Sequence, residues 1–190
     1  MSQEMAQGVR WTVHDIDLLP ENEGIRYEII DGELFVTRAP HSRHQQTCGR
    51  IFQYLNSWSE ESGLGEPIPS PGVLFSEADN VVPDVVWVRK ETYMQLIDEQ
   101  GHLTGAPELV VEVISQSQQD QRRDREAKLK LYSSRGVQEY WIADWRSRKL
   151  EVYRRESAQL KLVATLFSND TVTSSLLPGF SCLVERFFPK

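Results

Sequence analysis

The chain has 190 residues, a net charge of −7 and 39% hydrophobic residues, a composition that predicts one globular domain with a sizeable core. It lacks an apolar run long enough to span a membrane and an N-terminal signal-peptide pattern, and its two cysteines do not have the spacing of a disulfide framework or a zinc site. We therefore expect a cytoplasmic protein, and the acidic charge excludes a generally basic nucleic-acid binder but not a locally basic cleft.

Three elements are predicted before residue 40. They are a flexible tail over residues 1–11, a short helix from Thr12 to about Leu19, and a β-hairpin over residues 27–36. Thr12 and Asp15 have the spacing of a capping box, which predicts the helix start. Asp31-Gly32 separates two apolar runs and suits a type I′ turn, which predicts the hairpin.

A long helix and a proline-rich segment come next. Cys48, Ile51, Leu55 and Trp58 recur at helical spacing, which predicts a helix over residues 42–61 with one apolar stripe. Three prolines between residues 67 and 71 favour a stiff loop. After it we expect strands at 72–75 and 85–88 and a short helix at 91–100.

The run Leu109–Ile114 is the most strand-like in the chain and is apolar on both faces, as expected for a strand covered on both sides. A polar turn over 115–119 and a charged helix over 120–134, closed by Gly136, follow it. Further strands are expected at 139–144, 150–153, 160–166 and 171–174, and a last short helix or strand at 184–188. This order predicts an α/β (α+β) fold with a mixed sheet flanked by helices.

Glu112 is the residue that most needs an explanation, because it lies inside that apolar strand. It shares a face with Val110 and Ile114, and neither face of the strand looks wet. An ionised carboxylate there must be paired, protonated or bound to a metal. The alternatives are therefore a salt bridge to an arginine at the strand end and a functional metal site.

Asp84 is the second candidate. Pro83 marks the start of a strand, and Asp84 then opens the apolar run that follows. By itself, Asp84 is equally consistent with a carboxylate that caps a turn. If its strand neighbours that of Glu112, the two carboxylates can converge on a hard divalent cation such as Mg²⁺. Glu108 is a poorer partner, because four strand residues place it roughly 13 Å from Glu112.

Lys128 and Glu28 complete the set of candidates. Asp124, Lys128 and Tyr132 recur every four residues and line one helix face, a pattern also typical of a solvated acid–base pair. The helix follows the Glu112 strand and must return near it, where Lys128 could orient an attacking water or help to deprotonate it. Glu28 lies between bulky residues and is equally consistent with a structural role and with a contact to metal or water.

The remaining polar residues indicate no other chemistry. The four histidines have no ligand spacing, and His44, which precedes the long helix, is expected to have a structural role, as a lone histidine usually does. The sequence contains no phosphate-binding loop, no dinucleotide-binding glycine pattern, no zinc-peptidase motif and no serine-hydrolase elbow.

Six segments, each weakly diagnostic alone, form a specific combination. They are Tyr27 to Glu33, His44-Gln45, Pro83 to Val85, Glu108 to Ser115, Asp124 to Tyr132, and Gly136 to Asp144. Together they resemble the Uma2 (DUF820) family of restriction-endonuclease-like proteins, within the PD-(D/E)XK nuclease superfamily, over about residues 12–188. The resemblance implies one nuclease-like domain over residues 12–190, with a restriction-endonuclease-like core and a metal-dependent phosphodiesterase site.

Carried over by position, Asp84 is the motif aspartate and Glu112 the motif glutamate. The motif lysine would fall at Ile114, and the resemblance implies that Lys128 of the following helix replaces it. Glu28 matches a further acidic position of the family.

These positions give a mechanistic hypothesis. Asp84, Glu112 and the carbonyl of Val113 hold Mg²⁺ or Mn²⁺, which activates a water, while Lys128 positions that water or stabilises the developing charge. The expected partner is nucleic acid, DNA above all, and a homodimer would suit cleavage of both strands. Possible contacts to the phosphate backbone are Arg122, Arg123 and Arg125. The alternative is a catalytically inactive nuclease-like fold that binds nucleic acid or protein.

Overall fold

The computed structural model describes residues 9–20, 24–114 and 121–190. The strands in these residues are β1 (Ile25–Ile30), β2 (Glu33–Arg38), β3 (Gly65–Pro69), β4 (Val73–Ser76), β5 (Asp79–Val81), β6 (Val85–Arg89), β7 (Leu109–Val113), β8 (Glu139–Asp144), β9 (Lys149–Glu156), β10 (Gln159–Leu166), β11 (Thr171–Thr173) and β12 (Ser181–Leu183). The helices are α1 (Val13–Ile16), α2 (Ser42–Ser62), α3 (Lys90–Leu96) and α4 (Leu129–Arg135), with a π-helical turn at Arg123–Lys128 and a 3₁₀ turn at Val184–Phe187.

A six-stranded mixed sheet forms the centre of the protein, in the order β10-β9-β8-β7-β6-β3. Strands β7 and β8 pair in parallel, and the other neighbours in this sheet are antiparallel. A parallel pair requires a crossover, and here the crossover contains the π-helical turn and α4. A four-stranded sheet, β2-β1-β5-β4, and the β11-β12 pair complete the sheet structure of the described residues.

Local sequence signals explain the N-terminal elements. The Asp15 carboxylate accepts hydrogen bonds from the backbone N–H and the hydroxyl of Thr12, as the capping-box spacing predicts. Asp31 and Gly32 have φ angles of 51° and 74°, the left-handed pair that a type I′ hairpin turn requires. Gly63, with a φ of 67°, ends α2 one residue beyond the predicted boundary.

The proline-rich segment is a strand, so the predicted stiff loop is wrong. Pro67 lies opposite Trp87 and Pro69 opposite Val85 in the β3–β6 register. β3 is the edge of the sheet, and prolines at alternate positions of an edge strand place their missing N–H groups on the unpaired side. These two prolines therefore leave the ladder with β6 intact and hinder another strand from adding to this edge, whereas Pro71 lies beyond the end of β3.

Several boundaries also differ from the predictions. The first helix ends at Ile16 rather than Leu19, and β5 was not predicted. The charged helix contains a π-helical turn before α4; its expected start and the polar turn at 115–119 lie outside the described residues. Most of the predicted tail over 1–11 also lies outside them, but the Trp11 N–H donates to the Gly32 carbonyl at 2.8 Å and ties residue 11 to the hairpin.

The two faces of the central sheet pack against two apolar clusters. Leu109, Val111 and Val113 belong to the cluster covered by α2, whereas Val110 and Ile114 belong to the cluster covered by α4. The expected alternation along β7 is therefore confirmed, and Glu112 points to the α4 side. In the described part of the chain no helix is both long and apolar enough to cross a membrane.

Candidate active site

Asp84, which directly precedes β6, and Glu112, on the neighbouring strand β7, line one cleft of about 740 Å³. β6 and β7 pair antiparallel with Val85 opposite Val111, so the two acidic residues stand one position beyond that pair. The Asp84 carboxylate accepts a hydrogen bond from the Val113 N–H at 2.8 Å, which fixes it against β7. Both side chains are buried, with residue exposures of 7% for Asp84 and 3% for Glu112.

Lys128 reaches the same place from the π-helical turn and is fully buried. Its Nζ lies 2.8 Å from Glu112 Oε1 and 2.9 Å from Glu28 Oε1. The Tyr132 hydroxyl donates to Glu112 Oε1 at 2.9 Å, so one oxygen of Glu112 takes both donors. Asp124, Lys128 and Tyr132, which share the predicted helix face, therefore lie in a buried cluster around Glu112. The alternative, a solvated acid–base pair, does not form.

Glu28 and Asp124 extend this cluster of buried charges. Glu28 accepts a hydrogen bond from the Val82 N–H at 2.9 Å and also lies 3.7 Å from the Arg123 guanidinium. Arg123 Nε donates to Asp124 Oδ1 at 3.0 Å. Glu28 is 1% exposed, so it is a member of the buried cluster and not a partly exposed strand residue.

His44 and Arg26 surround Asp84, and sequence reasoning did not assign either to the site. His44 Nε2 lies 3.3 Å from Asp84 Oδ2, and Arg26 approaches Asp84 Oδ1 at 3.6 Å. His44 Nδ1 contacts Cys48 Sγ at 3.5 Å, one helical turn along α2. The signal was present, because His44 is four residues before Cys48 and extends the apolar stripe of α2 towards the sheet.

Burial and neighbouring charges set the protonation of the cluster. Burial opposes the charge of Lys128, but the carboxylates of Glu112, Glu28 and Asp124 outweigh it and raise its pKa. Burial likewise raises the pKa of Glu112, to about 8, although Lys128 acts to lower it. The pKa of Glu28 is lowered because Lys128 and Arg123 outweigh the effect of burial. Lys128 is therefore an ammonium ion at neutral pH and cannot take a proton from water.

For Asp84 and His44, burial again opposes the charged form and their mutual contact favours it. The hydrogen bond and charge of His44, with the Val113 N–H, lower the pKa of Asp84 against the effect of burial. Burial tends to lower the pKa of His44, but the hydrogen bond to Asp84 outweighs it and the pKa is raised. The two residues therefore favour an ionised Asp84 beside a protonated His44.

The donor set fits a hard divalent cation. Among the described residues, Glu112 Oε2 accepts no hydrogen bond, and Asp84 Oδ1 has only the 3.6 Å approach of Arg26. Each carboxylate thus keeps one oxygen for a ligand, and oxygen donors from Asp, Glu and a backbone carbonyl are what Mg²⁺ and Mn²⁺ prefer. Val113 lines the same cleft, and its N–H donates to Asp84 Oδ2, which places its backbone beside them.

His44, Cys48 and Asp84 also form a group whose potential ligand atoms lie within 4.8 Å of one another. Nitrogen and sulfur donors suit softer metals such as Zn²⁺. Burial raises the pKa of the Cys48 thiol well above its ordinary value, however, and a thiol must lose its proton before it binds a metal. The carboxylate pair is therefore the stronger candidate.

The three arginines proposed to contact phosphate have different environments. Arg122 is exposed and pairs with Glu126 at 2.9 Å, whereas Arg125 is half-buried and held by Glu151. Arg123 is buried among carboxylates, whereas a residue that contacts the phosphate backbone is expected at the surface. Glu108 accepts hydrogen bonds from the Arg89 N–H and the Thr92 hydroxyl at the start of α3, so its role is structural.

The model of the Uma2 family, described as "Putative restriction endonuclease", matches residues 13–185. The chain belongs to the Uma2 family. The resemblance seen in the sequence is thereby confirmed, and membership of Uma2 supports a nuclease-like role. A search of curated proteins found no match.

One solved structure shows the same fold. A protein from Anabaena variabilis described as "a putative nuclease belonging to DUF820" superimposes with a TM-score of 0.73 at 19% identity, covering 93% of this chain and 97% of that one. The type IIG restriction endonuclease BpuSI matches with a TM-score of 0.45 at 12% identity, over 76% of this chain and 15% of that one. The expected restriction-endonuclease-like fold, a mixed sheet flanked by helices, is confirmed by the first of these structures.

Proposed function

We propose that residues 12–190 form a metal-dependent endonuclease domain that hydrolyses phosphodiester bonds of nucleic acid, with DNA as the substrate and Mg²⁺ or Mn²⁺ as the cofactor. One observation carries this proposal: the carboxylate that directly precedes β6, a carboxylate of the adjacent strand β7 and a buried ammonium group meet in a single cleft. Burial of so many charges costs stability unless they are paired or bind an ion, and such clusters of perturbed pKa values are typical of functional sites.

Asp84, Glu112 and the Val113 carbonyl are the residues that would hold the cation. When bound, a divalent ion polarises a phosphodiester and lowers the pKa of a water molecule. Lys128 supplies a fixed positive charge beside Glu112, which can stabilise negative charge that develops on the phosphate. Tyr132 and Glu28 hold the Glu112 carboxylate and the Lys128 ammonium in place.

The raised pKa of Lys128 bears on the choice of general base. The sequence allowed Lys128 to orient a water or to deprotonate it, and a permanently charged ammonium suits only the first role. We therefore assign Lys128 to electrostatic stabilisation and water orientation. A homodimer, which would place two such sites on a duplex, and contacts from the exposed Arg122 to the phosphate backbone are further parts of the proposal.

The first test is thermal unfolding with and without Mg²⁺ or Mn²⁺. At about 100 times its Kd, a ligand that binds only the folded state adds about 2.7 kcal/mol of stability. For a chain of this size that corresponds to a rise in Tm of roughly 5–10 °C. We expect this rise in the wild type and its loss in Glu112→Gln and Asp84→Asn. Glu108→Gln is the matched control. Glu108 is a carboxylate directly before β7, but it accepts hydrogen bonds at the start of α3 and lies outside the cleft.

The second test is cleavage of plasmid and single-stranded DNA by the same variants. We expect metal-dependent cleavage by the wild type and Glu108→Gln, and none by Glu112→Gln. Stabilisation by metal that depends on Glu112 but is not accompanied by cleavage of any nucleic acid would support the binding module instead. Equal stabilisation of the wild type and Glu112→Gln by metal would show that the proposed metal ligands are wrong.

The number of protons released when metal binds gives an independent check of the same site. Because the pKa of Glu112 is raised to about 8 without metal, binding of a cation must displace a proton below that pH. We expect the affinity for Mn²⁺ to rise by up to about tenfold per pH unit between pH 6 and pH 8 and then to level off. Calorimetry in buffers of different ionisation enthalpy measures the released proton directly.

A further inference from the structure

An aromatic pair stands in the cleft that contains Asp84 and Glu112. The His41 and Trp145 rings stack with their centroids 5.1 Å apart and an interplanar angle of 17°. Both residues line the cleft. His41 caps α2, its Nδ1 accepting a hydrogen bond from the Arg43 N–H at 3.1 Å, and Trp145 directly follows β8. The stack is therefore held by two rigid elements of the fold.

His41 is exposed and Trp145 is half-buried, so the stack has an inner ring packed on the core and an outer ring open to solvent. His41 is therefore the ring of the pair that a ligand can reach from solvent. In addition, Trp145 Nε1 is buried and meets no acceptor within the described residues. An unsatisfied indole N–H is costly, so packing of the ring and not a hydrogen bond holds Trp145 in the stack.

The cleft that holds this stack also contains arginines, although the whole chain has a net charge of −7. Arg26 and Arg38 both line the cleft. Arg38 is exposed and forms no ion pair with any residue that the structure describes. A guanidinium in the same cleft as a flat aromatic surface is the combination that single-stranded nucleic acid requires, because its phosphates need cations and its bases need faces on which to stack.

We propose that the His41–Trp145 stack is a base-stacking subsite for an unpaired nucleobase of single-stranded nucleic acid, with Arg38 on an adjacent phosphate. The inference deepens the proposed function and rests on it. Bases inside a duplex already stack on one another and offer no free face, so this subsite selects a single strand or a base displaced from its pair.

The test measures binding of short fluorescent oligonucleotides by anisotropy, in the Glu112→Gln background with Mg²⁺ so that cleavage does not interfere. The probes are single-stranded DNA, single-stranded RNA, a duplex, and an abasic strand that has phosphates but no bases. We expect both single strands to bind about tenfold more tightly than the abasic strand. The ratio of DNA to RNA affinity identifies which of the two is the preferred source of the base.

Two substitutions separate the ring of His41 from its capping role. His41→Asn keeps a side-chain acceptor for the Arg43 N–H but has no ring, whereas His41→Tyr restores a ring without the cap. We expect His41→Asn to weaken single-strand binding about tenfold and to leave abasic binding unchanged, and His41→Tyr to restore most of the loss. Arg38→Gln should weaken the binding of both the normal and the abasic single strand. His102→Asn, outside the cleft, should weaken the binding of neither.

Three results would overturn the inference. The first is equal affinity for abasic and normal strands, the second is unchanged single-strand binding in His41→Asn, and the third is a duplex that binds as tightly as a single strand. In each of these cases nucleic acid still binds, so the proposed function survives and only the stacking subsite fails. Absence of binding to every probe would instead remove the proposed function and the inference together.

Discussion

Replacement of Lys128 by methionine tests whether the buried ammonium holds the charge cluster together. Lys128 is 0% exposed and lies within 3 Å of two carboxylate oxygens, at 2.8 Å from Glu112 and 2.9 Å from Glu28. Methionine fills a similar volume without charge, so the substitution removes the ion pairs and leaves little cavity. Loss of one partner of a buried ion pair typically costs about 3–5 kcal/mol.

The two carboxylates should contribute unequally to that cost. Since burial raises the pKa of Glu112 to about 8, this carboxyl group is already mostly protonated at pH 7 and loses little when the ammonium is removed. Glu28 has a lowered pKa, owing to Lys128 and Arg123, and remains ionised with one cation fewer. We therefore expect a loss of about 3 kcal/mol at pH 7, at the low end of the range, with most of it due to Glu28.

Urea unfolding of the metal-free protein in EDTA measures the change. With an m-value of about 2 kcal/mol/M, the midpoint should fall by about 1.5 M. Lys130→Met, at an exposed position on α4, is the matched control and should stay within about 0.5 kcal/mol of the wild type.

Double-mutant cycles then locate the interaction. We expect a larger coupling energy between Lys128→Met and Glu28→Gln, about 1–3 kcal/mol, than between Lys128→Met and Glu112→Gln. A loss below about 1 kcal/mol for Lys128→Met, or a larger coupling with Glu112, would refute the assignment of charges in the cluster.

Two further predictions concern titration and thiol reactivity. A group whose folded pKa is raised stabilises the protein below its unfolded pKa and loses that contribution as pH rises, so metal-free stability should fall between pH 5 and pH 8 because of Glu112. In urea titrations, Glu112→Gln should reduce this fall in the free energy of unfolding. A smaller fall should remain, because the pKa values of His44 and Asp124 are also raised. If the pH dependence of the free energy of unfolding is unchanged in Glu112→Gln, the raised pKa of Glu112 is contradicted. Burial also raises the pKa of Cys48 well above its ordinary value and that of Cys182 to about 11, so both thiols should react with a disulfide reagent only after unfolding in urea. Rapid modification of the folded protein would show that one of them is accessible.

The sequence determined the elements whose causes are local. Asp31-Gly32 needs only two residues in the left-handed region to form the hairpin turn, and the stripe through Ile51 and Leu55 needs only helical spacing to define the buried face of α2. Glu112 was recognisable for the same reason, because alternation along one strand shows that both its faces are apolar. These features depend on neighbours within a few residues, and the sequence displays them directly.

Only the tertiary structure decided which charges meet. Lys128 and Glu112 are 16 residues apart, Asp84 and Val113 are 29 apart, and Glu28 and Val82 are 54 apart. No local pattern relates such distant positions, since their contact depends on the antiparallel β6–β7 pairing and on the crossover from β7 to β8.

The predictions that differ from the structure have the same physical cause. Proline forbids a central strand but not an edge strand, and only the sheet order shows that β3 is an edge. His44 gains its role from Asp84 on another element, and Arg123 turns inward because Glu28 and Asp124 lie beneath it. The sequence thus determined which side chains need partners, whereas the packing of the sheet and helices decided which partners they have.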